Sequence, residues 1–272
     1  MSKPLLRWAG GKRWLAKEIK KILPNYFNNY YEPFCGSCAI FYSLREVLGG
    51  KNVYLSDLNY DLINFYKILQ SSPSALIGNL KLYENTESFY YFLRSYEPND
   101  PVEAAARFYY LNRTSFNGIY RVNLKGKYNV PYGFKKYLRL FDFDLIIENS
   151  EFIKDVNFVY EDFFWVINVV EKDDFVFLDP PYTVSHNRNG FIKYNQKLFS
   201  VDDQHRLKDF IDKISQKKAN YLLTNAHHSV VYDIFSVNSS GREVNRYTPI
   251  SGKKTGRTHT KEYIFFNYGT ID

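Results

Sequence analysis

The stretch DFVFLDPPY, residues 174–182, decides the fold of this chain. Phe175 to Leu178 read as a buried β-strand, and the strand must stop at Pro180 because proline cannot donate to a sheet ladder. The segments NYYEPFCG (29–36) and NVYLSDLN (52–59) also run from strand-like residues into an acid. Helical segments alternate with these strands, which predicts a parallel sheet with crossover helices.

The rest of the chain extends this alternation around one irregular region. Helical spacing is predicted at 12–23, 37–48, 60–70 and 202–217, and further strands at 157–163, 220–228, 242–248 and 261–268. Residues 73–115 read as mainly helical, and NGIYRVNLKGKYNVPYG (117–133) as a basic hairpin or extended loop. We therefore predict an α/β fold with a doubly wound, mostly parallel sheet and a C-terminal antiparallel hairpin. Its core is residues 1–60 and 151–272, with an insertion at 61–150.

Composition bounds the class of protein. The chain has 272 residues, of which 45% are hydrophobic and 24% are charged, as in globular domains. No apolar run approaches the ~18 residues of a membrane span, and the N-terminus lacks the apolar region of a signal peptide. These features predict a cytoplasmic protein that makes no membrane contact.

The two cysteines, Cys35 and Cys38, form a C-x-x-C pair, a spacing that is compatible with redox or zinc chemistry. No second pair is present to complete a four-ligand zinc site, and the five histidines lie far away in the sequence. A turn of small residues therefore explains the pair better, and we predict no metal site.

Positive charge is concentrated in one segment. Residues 101–140 hold eight Arg or Lys and a single acid, so their excess of +7 equals the net charge of the whole chain. The basic residues are Arg107, Arg113, Arg121, Lys125, Lys127, Lys135, Lys136 and Arg139. Tyrosine and phenylalanine are interleaved with them, and a basic, aromatic surface suits a polyanion that carries flat bases. The alternative is an ordinary solvated face.

Two acids close predicted strands at the edge where an open α/β sheet binds its ligands. Glu32 ends the first strand, and Asp57 ends the second, where an acid can accept hydrogen bonds from ribose hydroxyls. The first turn contains Gly36 but lacks a G-x-G-x-x-G pattern, so the pyrophosphate cofactor of a nicotinamide dehydrogenase is disfavoured. A nucleoside ligand that carries no phosphates stays compatible with this turn.

The run Asp179-Pro180-Pro181-Tyr182 carries more specific chemistry. Two prolines fix φ and remove two N–H groups, so nearby carbonyls stay rigid and unpaired. The Asp179 carboxylate and a fixed carbonyl form an acceptor pair that can hold both N–H bonds of an exocyclic amine. Tyr182 offers a stacking face for the ring that bears this amine. The arrangement fits methylation of a nucleobase amine, at adenine N6 or cytosine N4.

Six motifs follow one another along nearly the whole chain. They are RWAGGK (7–12), YYEPFCGSCAIFY (30–42), LSDLN (55–59), FYYLNRTSFNGIYRVNLKGKYNVPYG (108–133), FVFLDPPY (175–182) and GFIKYNQKLFSVDDQHRL (190–207). Together they resemble the Dam-type DNA adenine-N6 methyltransferases. The resemblance implies a Rossmann-like catalytic core and an insertion that recognises the DNA target. It also implies methyl transfer from S-adenosylmethionine to N6 of a flipped adenine in a specific duplex sequence, with S-adenosylhomocysteine as product.

The resemblance also assigns site residues. Asp179, Pro180 and Tyr182 would hold and stack the target adenine. The cofactor-binding positions are Trp8, Lys12, Glu32, Phe34, Gly36, Asp57, Asp162 and Asp179. The DNA-contacting positions are Arg7, Phe116, Asn117, Arg121, Asn123, Lys125, Lys127 and Pro131. Among these, Arg121 would read a base, whereas the lysines would contact phosphates.

Several alternatives stay open. Methylation at cytosine N4 is the alternative reaction, and a DNA-binding relative that has lost catalysis is the alternative class of protein. An RNA substrate is less well supported than duplex DNA, because the long basic hairpin suits the grooves of a DNA duplex. The expected partner is double-stranded DNA, with a cognate restriction endonuclease if the enzyme serves a restriction system, and we expect a monomer in solution. The motifs do not define the recognition sequence, for which GATC is only the family default. Residues 185–195 are expected to form a loop over the flipped base.

Overall fold

The structure is a computed structural model that describes residues 3–123, 125–135, 139–182, 199–237, 239–247 and 259–269. In this part of the chain the helices are α1 (Ala16–Lys21), α2 (Ala39–Leu44), α3 (Tyr60–Ser71), α4 (Pro73–Leu80), α5 (Glu87–Ser95), α6 (Pro101–Thr114), α7 (Phe143–Phe152), α8 (Val201–Gln216) and α9 (Ser229–Phe235). The strands are β1 (Tyr30–Glu32), β2 (Val53–Asp57), β3 (Val156–Tyr160), β4 (Phe175–Leu178), β5 (Asn220–Ala226), β6 (Ser240–Tyr247) and β7 (His259–Phe266). The loop predicted at 185–195 lies outside the described residues.

The strands form one mixed sheet in the order β3-β2-β1-β4-β5-β7-β6. β4 pairs in parallel with β1 on one side and with β5 on the other. β7 lies antiparallel between β5 and β6, so the predicted C-terminal hairpin closes one edge of the sheet. The strand order reverses between β1 and β4, which is the pattern of a doubly wound α/β sheet. The predicted fold class is confirmed.

Contacts divide the chain into two compact units. The first unit comprises Met1–Ala16, Cys35–Gly49 and Leu55–Glu161, and the second comprises Lys17–Phe34, Gly50–Tyr54 and Asp162–Asp272. This division follows packing, whereas the boundaries 1–60, 151–272 and 61–150 were assigned by function. Those functional boundaries stay a prediction.

Aromatic packing holds the helices of the first unit together. Phe65 of α3 stacks on Tyr109 of α6 at a centroid distance of 5.3 Å, and Tyr66 of α3 lies parallel to Phe158 of β3 at 4.9 Å. Helix α6 begins at Pro101, a favoured residue for a first turn because it has no N–H to leave unsatisfied. Its last residue leads directly into the predicted basic hairpin.

The second unit is built on strand β4, whose four residues are all buried. Helix α8 packs an apolar stripe onto this core, formed by Leu207, Phe210, Ile211 and Ile214. A capping box fixes the start of α8, because Ser200 accepts a hydrogen bond from the backbone of Asp203 and the Asp203 carboxylate accepts one from the backbone of Ser200. The helix therefore covers the residues that the sequence predicts to within one position.

Two predicted helices are shorter in the structure. The helix expected at 12–23 begins only at Ala16, and the one expected at 37–48 covers Ala39–Leu44. Cys38 stands immediately before the second of these with a left-handed φ of 56°, and its N–H bonds the carbonyl of Cys35 at 2.6 Å. A tight turn therefore occupies the positions that periodicity alone assigns to the first turn of the helix.

The basic hairpin is confirmed. An antiparallel bridge joins Val122 to Tyr128, and a second joins Ser115 to Tyr132. The N–H of Asn123 bonds the carbonyl of Lys127 at 2.8 Å. Residues 115–123 and 125–132 thus form two antiparallel arms directly after α6.

Two composition-based expectations concern membranes and metals. In the described part of the chain, no helix combines the length and the apolar character that a membrane crossing requires. Within the same residues, no group of three or more His, Cys, Asp or Glu side chains is arranged to hold a metal ion. Cys35 and Cys38 are both buried, and they are not joined in a disulfide bond.

Candidate active site

The turn after β4, residues Asp179–Tyr182, is called the β4 turn below. Asp179 is half-buried, and its Oδ1 accepts a 2.8 Å hydrogen bond from the hydroxyl of Thr224 on the neighbouring strand β5. Thr224 is fully buried, and its hydroxyl also lies 3.3 Å from the carbonyl of Leu178. The carboxylate predicted to hold an amine is therefore tied to the sheet by a side chain.

Tyr182, at the end of the β4 turn, is tied by its hydroxyl. The hydroxyl donates a 2.7 Å hydrogen bond to Oε2 of Glu262 on β7, and only 3% of Glu262 is exposed. Burial raises the pKa of the Tyr182 hydroxyl well above its usual value, and the charges of Asp179 and Glu262 raise it further. The hydroxyl stays protonated at neutral pH and acts as a donor.

Glu32 and Phe34 lie at the carboxyl end of β1, the strand that pairs with β4. Glu32 is 3% exposed and accepts a 2.8 Å hydrogen bond from the hydroxyl of Tyr30. Phe34 contacts the rings of Phe163 and Phe199 at centroid distances of 5.3 and 5.8 Å. β1 therefore ends in a buried acid and an aromatic cluster.

Asp162 precedes the short 3-10 helix Phe163–Asn168 and caps it, because its Oδ1 accepts a 3.0 Å bond from the N–H of Phe164. The guanidinium of Arg206 on α8 forms an ion pair with both carboxylate oxygens of Asp162 and lies 4.6 Å above the ring of Phe163. Asp162 is thus held between a helix cap and an arginine.

In the first unit, strand β2 ends at Asp57, whose carboxylate is held by backbone groups. Its Oδ2 accepts a 3.1 Å bond from the N–H of Gly36, and its Oδ1 accepts a 3.0 Å bond from the N–H of Asn59. Burial raises the pKa of Asp57 to about 6, although the backbone N–H groups partly offset this by stabilising the charge. The carboxylate is therefore ionised at neutral pH and becomes protonated in mild acid.

Gly36 lies in the turn Cys35–Cys38, called the glycine turn below, where it contacts Trp8. Its φ is +47°, and a Cβ atom at this position would lie 2.7 Å from Cδ1 of the indole. Trp8 in turn stacks on Tyr120 at 5.6 Å, and the hydroxyl of Tyr66 donates to the Gly36 carbonyl at 3.3 Å. Only glycine allows this close approach of backbone and indole.

Lys12 is 3% exposed, so it is not the solvated lysine that a helix start commonly carries. A buried lysine is rare in proteins unless its charge is compensated. The assignment of Lys12 to the cofactor site stays a prediction.

Arg7 lies against the base of the hairpin. Its backbone N–H donates to Oδ1 of Asn112 at 2.9 Å, and the Asn112 amide donates back to the Arg7 carbonyl at 2.7 Å. A Cβ atom on Gly118, whose φ is +65°, would lie 2.7 Å from Cδ of Arg7. Asn112 and Gly118 therefore bring a residue from the N-terminus to the hairpin predicted to contact DNA.

The arms of the hairpin carry the predicted base-reading arginine. Nε of Arg121 donates a 2.8 Å bond to Oδ1 of Asn129 on the opposite arm, and Nη2 lies 3.4 Å from the Asn129 carbonyl. This pairing restricts the guanidinium of Arg121 before any ligand binds.

The tip and the base of the hairpin differ in exposure and bonding. At the tip, Oδ1 of Asn123 accepts bonds from the N–H groups of Lys125 and Lys127, at 2.9 and 3.1 Å. Lys127 also forms a 3.0 Å ion pair with Glu97, in which both side chains are about 60% exposed. At the base, Phe116 is 53% exposed. Asn117 and Pro131 are also exposed.

Comparison with known proteins identifies the family. A family model described as D12 class N6 adenine-specific DNA methyltransferase matches residues 8–248.

The chain belongs to this family of DNA methyltransferases.

Named relatives agree with this assignment. The methyltransferase is 32% identical to the Type II methyltransferase M1.LlaDCHI of Lactococcus lactis subsp. cremoris, over 98% of this chain and 96% of the relative. It is 35% identical to the Type II methyltransferase M.MjaIII of Methanocaldococcus jannaschii, over 83% of this chain and 85% of the relative. It is 30% identical to the DNA adenine methylase of Haemophilus influenzae, over 96% of this chain and 92% of the relative.

The family defines the reaction. This methyltransferase transfers a methyl group to the N6 amine of adenine in DNA, so adenine is favoured over the cytosine N4 alternative. The chain is an enzyme with a DNA substrate, which excludes the nicotinamide dehydrogenase considered from the α/β pattern.

Sequence reasoning on the methyltransferase missed the partners that hold its predicted site residues. These partners are Asn129 for Arg121, Arg206 for Asp162, Thr224 for Asp179 and Glu262 for Tyr182. Arg206 lies within a motif quoted for the resemblance. Thr224 and Glu262 lie in strands that carry further polar residues, Asn220 and Asn225 in β5 and Lys261 in β7, so the sequence pattern alone does not single them out.

Proposed function

We propose that this adenine methyltransferase takes its methyl group from S-adenosylmethionine and holds the target amine between Asp179 and the carbonyl of Pro180. The observation that carries the proposal is the β4 turn, where a carboxylate, a proline-fixed backbone and a tyrosine follow a buried strand. S-Adenosylhomocysteine is then the product. This places the chemistry at the carboxyl ends of the strands.

The first unit supplies side chains that fit a nucleoside cofactor. A carboxylate has about four acceptor sites, so Asp57, which receives the N–H groups of Gly36 and Asn59, retains capacity for ribose hydroxyls. The contact between Gly36 and Trp8 leaves no room for a side chain on the backbone that would approach the ligand. We assign cofactor binding to Trp8, Gly36 and Asp57 here, and the roles of Lys12, Glu32, Phe34 and Asp162 stay predictions from the resemblance.

At the β4 turn the chain orients the amine. Asp179 accepts one N–H bond and the Pro180 carbonyl accepts the other, so the lone pair of the amine nitrogen points away from both acceptors. Tyr182 provides the stacking face, a contribution of roughly 1–3 kcal/mol for one base on one aromatic ring. The bound cofactor supplies an electrophilic methyl group on a sulfonium.

The hairpin is the proposed DNA-reading element within the insertion at 61–150. Arg121 suits the O6 and N7 atoms of a guanine, a contact that discriminates by about 1–3 kcal/mol. Lys125 and Lys127 suit phosphates as flexible point charges. The remaining assigned positions, Arg7, Phe116, Asn117, Asn123 and Pro131, surround these at the base and tip.

We infer two further properties of the protein's biology. Two of the relatives reported above are named Type II methyltransferases, which supports a cognate restriction endonuclease that acts on the same site. We also infer that the protein works on double-stranded DNA as a monomer.

The test is to methylate a library of randomised duplexes with the purified protein and S-adenosylmethionine, and to map the modified bases. We expect N6-methyladenine in one sequence context. Arg121→Ala should relax preference at one position, whereas the matched variant Lys125→Ala should weaken binding to all sequences and lower the salt slope by about one unit. N4-methylcytosine in the product, or an unchanged sequence profile for Arg121→Ala, would contradict the corresponding part of the proposal.

A further inference from the structure

Two buried polar side chains on strands β5 and β7 bind the two reactive residues of the β4 turn. We propose that Thr224 and Glu262 are positioning residues for methyl transfer, Thr224 through the Asp179 carboxylate and Glu262 through the Tyr182 ring. The inference rests on the roles proposed above for Asp179 and Tyr182. The sequence motifs do not include either residue.

Strand register places Thr224 beside Asp179. Leu178 pairs with Leu223 in the parallel ladder of β4 and β5, so the next residue of each strand follows at the same level. The Thr224 hydroxyl has one proton, and the Asp179 oxygen at 2.8 Å is nearer than the Leu178 carbonyl at 3.3 Å. The carboxylate is the nearer of these two acceptors and is therefore the partner that we assign to the proton, although the same hydroxyl also interacts with the hydroxyl of Tyr182. Threonine is β-branched and stiff at χ1, so this donor has a fixed direction.

A fixed carboxylate matters because two acceptors must meet two N–H bonds at once. The terminal torsion of aspartate is broad, so an untethered carboxylate would rotate away from the plane of the amine. The Pro180 carbonyl is already fixed by the backbone. The bond from Thr224 to Oδ1 restricts this rotation of the Asp179 carboxylate. Small errors in the position of a reacting group can lower the rate of the chemical step strongly.

Glu262 acts at the other end of the site. It is 3% exposed, and in the antiparallel ladder it pairs with Ala226 of β5. A buried carboxylate is costly without hydrogen-bond donors, so its 2.7 Å bond with the Tyr182 hydroxyl is strongly favoured. The ring of Tyr182 is thereby held at its backbone end by the prolines and at its far end by Glu262. A ring held at both ends presents its face in one orientation.

The first experiment compares Thr224→Val, which removes the hydroxyl at constant shape, with Thr224→Ser, which retains it. Rates are measured in a single turnover with saturating S-adenosylmethionine and duplex DNA. We expect Thr224→Val to lower the rate about tenfold or more, and Thr224→Ser to stay within roughly twofold of wild type. The dissociation constants for cofactor and DNA should change less than about twofold in both variants.

A matched control removes a buried hydroxyl elsewhere. Thr114 on α6 is also fully buried, and its hydroxyl bonds the carbonyl of Tyr110 at 2.7 Å. Thr114→Val should lower the melting temperature as Thr224→Val does, without the same loss of single-turnover rate. Equal rate losses in the two variants, or a rate loss in Thr224→Val that Thr224→Ser shares, would overturn the role of Thr224.

The second experiment is a double-mutant cycle on Tyr182 and Glu262. If Glu262 acts through the tyrosine hydroxyl, Glu262→Gln should lower the rate several-fold in the wild-type background and have no further effect on Tyr182→Phe. Both substitutions are close to isosteric, so the fold should survive. Effects that multiply independently would overturn the role of Glu262.

An Asp179→Ala arm separates this inference from the proposed function on which it rests. A lost rate in Asp179→Ala together with normal rates in Thr224→Val and Glu262→Gln would overturn the inference and leave the proposed site standing. A normal rate in Asp179→Ala would overturn the proposed site, and the positioning roles with it.

Discussion

Two turns carry the two main carboxylates of this enzyme, and they are held in opposite ways. In the first unit, Asp57 accepts hydrogen bonds from the backbone N–H groups of Gly36 and Asn59. In the second unit, Asp179 accepts a hydrogen bond from the side chain of Thr224. Backbone donors are present whatever the side chain, whereas a hydroxyl donor exists only because of one residue.

The difference teaches which part of each turn is open to change. Around Asp57, the glycine turn determines the geometry, because Gly36 must allow both a positive φ and the contact with Trp8. Around the β4 turn, the prolines fix the backbone, and residues from other strands orient the side chains. We therefore expect substitutions near Asp57 to affect cofactor binding and those near Asp179 to affect the chemical step.

The largest expected effect is on the chemical step. Asp179→Ala should lower the single-turnover rate about a thousandfold, the scale of removing one preorganised polar group from a transition state. DNA affinity should be nearly unchanged, because phosphate contacts dominate it. Rapid-quench methylation and a filter-binding titration on the same preparation measure both quantities. A rate for Asp179→Ala within tenfold of wild type would contradict the assignment of the chemical step to the β4 turn.

Asp57→Ala should instead act on cofactor affinity. On the proposed role of Asp57, loss of its bonds to the ribose hydroxyls should weaken S-adenosylmethionine binding by roughly 1.5–3 kcal/mol. The single-turnover rate at saturating cofactor should fall much less. Calorimetric titration of the folded variant gives the affinity directly. Unchanged affinity would remove Asp57 from the cofactor site.

Substitution at the glycine turn tests whether the positive φ of Gly36 or its contact with Trp8 determines the loss of stability when a side chain is added. Gly36→Ala should lower the free energy of unfolding by more than the ~1–2 kcal/mol cost of a left-handed conformation, because the new Cβ would lie 2.7 Å from the indole. Gly50→Ala is the matched control, since Gly50 has a φ of +77° and no atom within 4 Å of the added Cβ. Denaturant titration compares the two variants. Equal losses of stability would show that the contact with Trp8 contributes nothing.

The smallest effect is a dependence of cofactor affinity on pH. The pKa of Asp57 is raised to about 6 by burial, so the charged form, which is the proposed acceptor of the ribose hydroxyls, is lost as the pH falls through that value. Affinity should drop by up to about tenfold per pH unit below pH 6 and level off above pH 7. Calorimetry between pH 5 and pH 7.5 measures this dependence, and Asp57→Asn should abolish it. A wild-type affinity that is constant over this range would contradict the proposal.

The raised pKa of Asp57 affects the stability of the cofactor-free protein in the opposite direction: cofactor affinity rises with pH, whereas stability falls. The folded-state pKa of Asp57 lies above its ordinary value of 3.8. Between about pH 3.8 and pH 6 the unfolded chain therefore releases a proton that the folded chain retains. The contribution of Asp57 to the free energy of unfolding falls as the pH rises through this window.

Local rules in the sequence determined the positions of the reactive groups. Prolines must end a strand, so Asp179 and Tyr182 are placed at the end of β4 by residues within four positions of them. Similar short-range patterns place Asp57 at the end of β2, and they place the hairpin after α6. Helix limits were less well predicted near Cys38, because a left-handed turn interrupts the periodicity there.

The tertiary structure alone decided what holds those groups. Thr224 lies 45 residues from Asp179, and Glu262 lies 80 residues from Tyr182. Their contacts exist because β5 lies beside β4 and because β7 inserts between β5 and β6. Strand order of this kind depends on which faces of all the elements can be buried together, and no short-range pattern contains that information. The raised pKa of Asp57 has the same origin, since burial is a property of the packed chain and not of the aspartate or its neighbours in sequence.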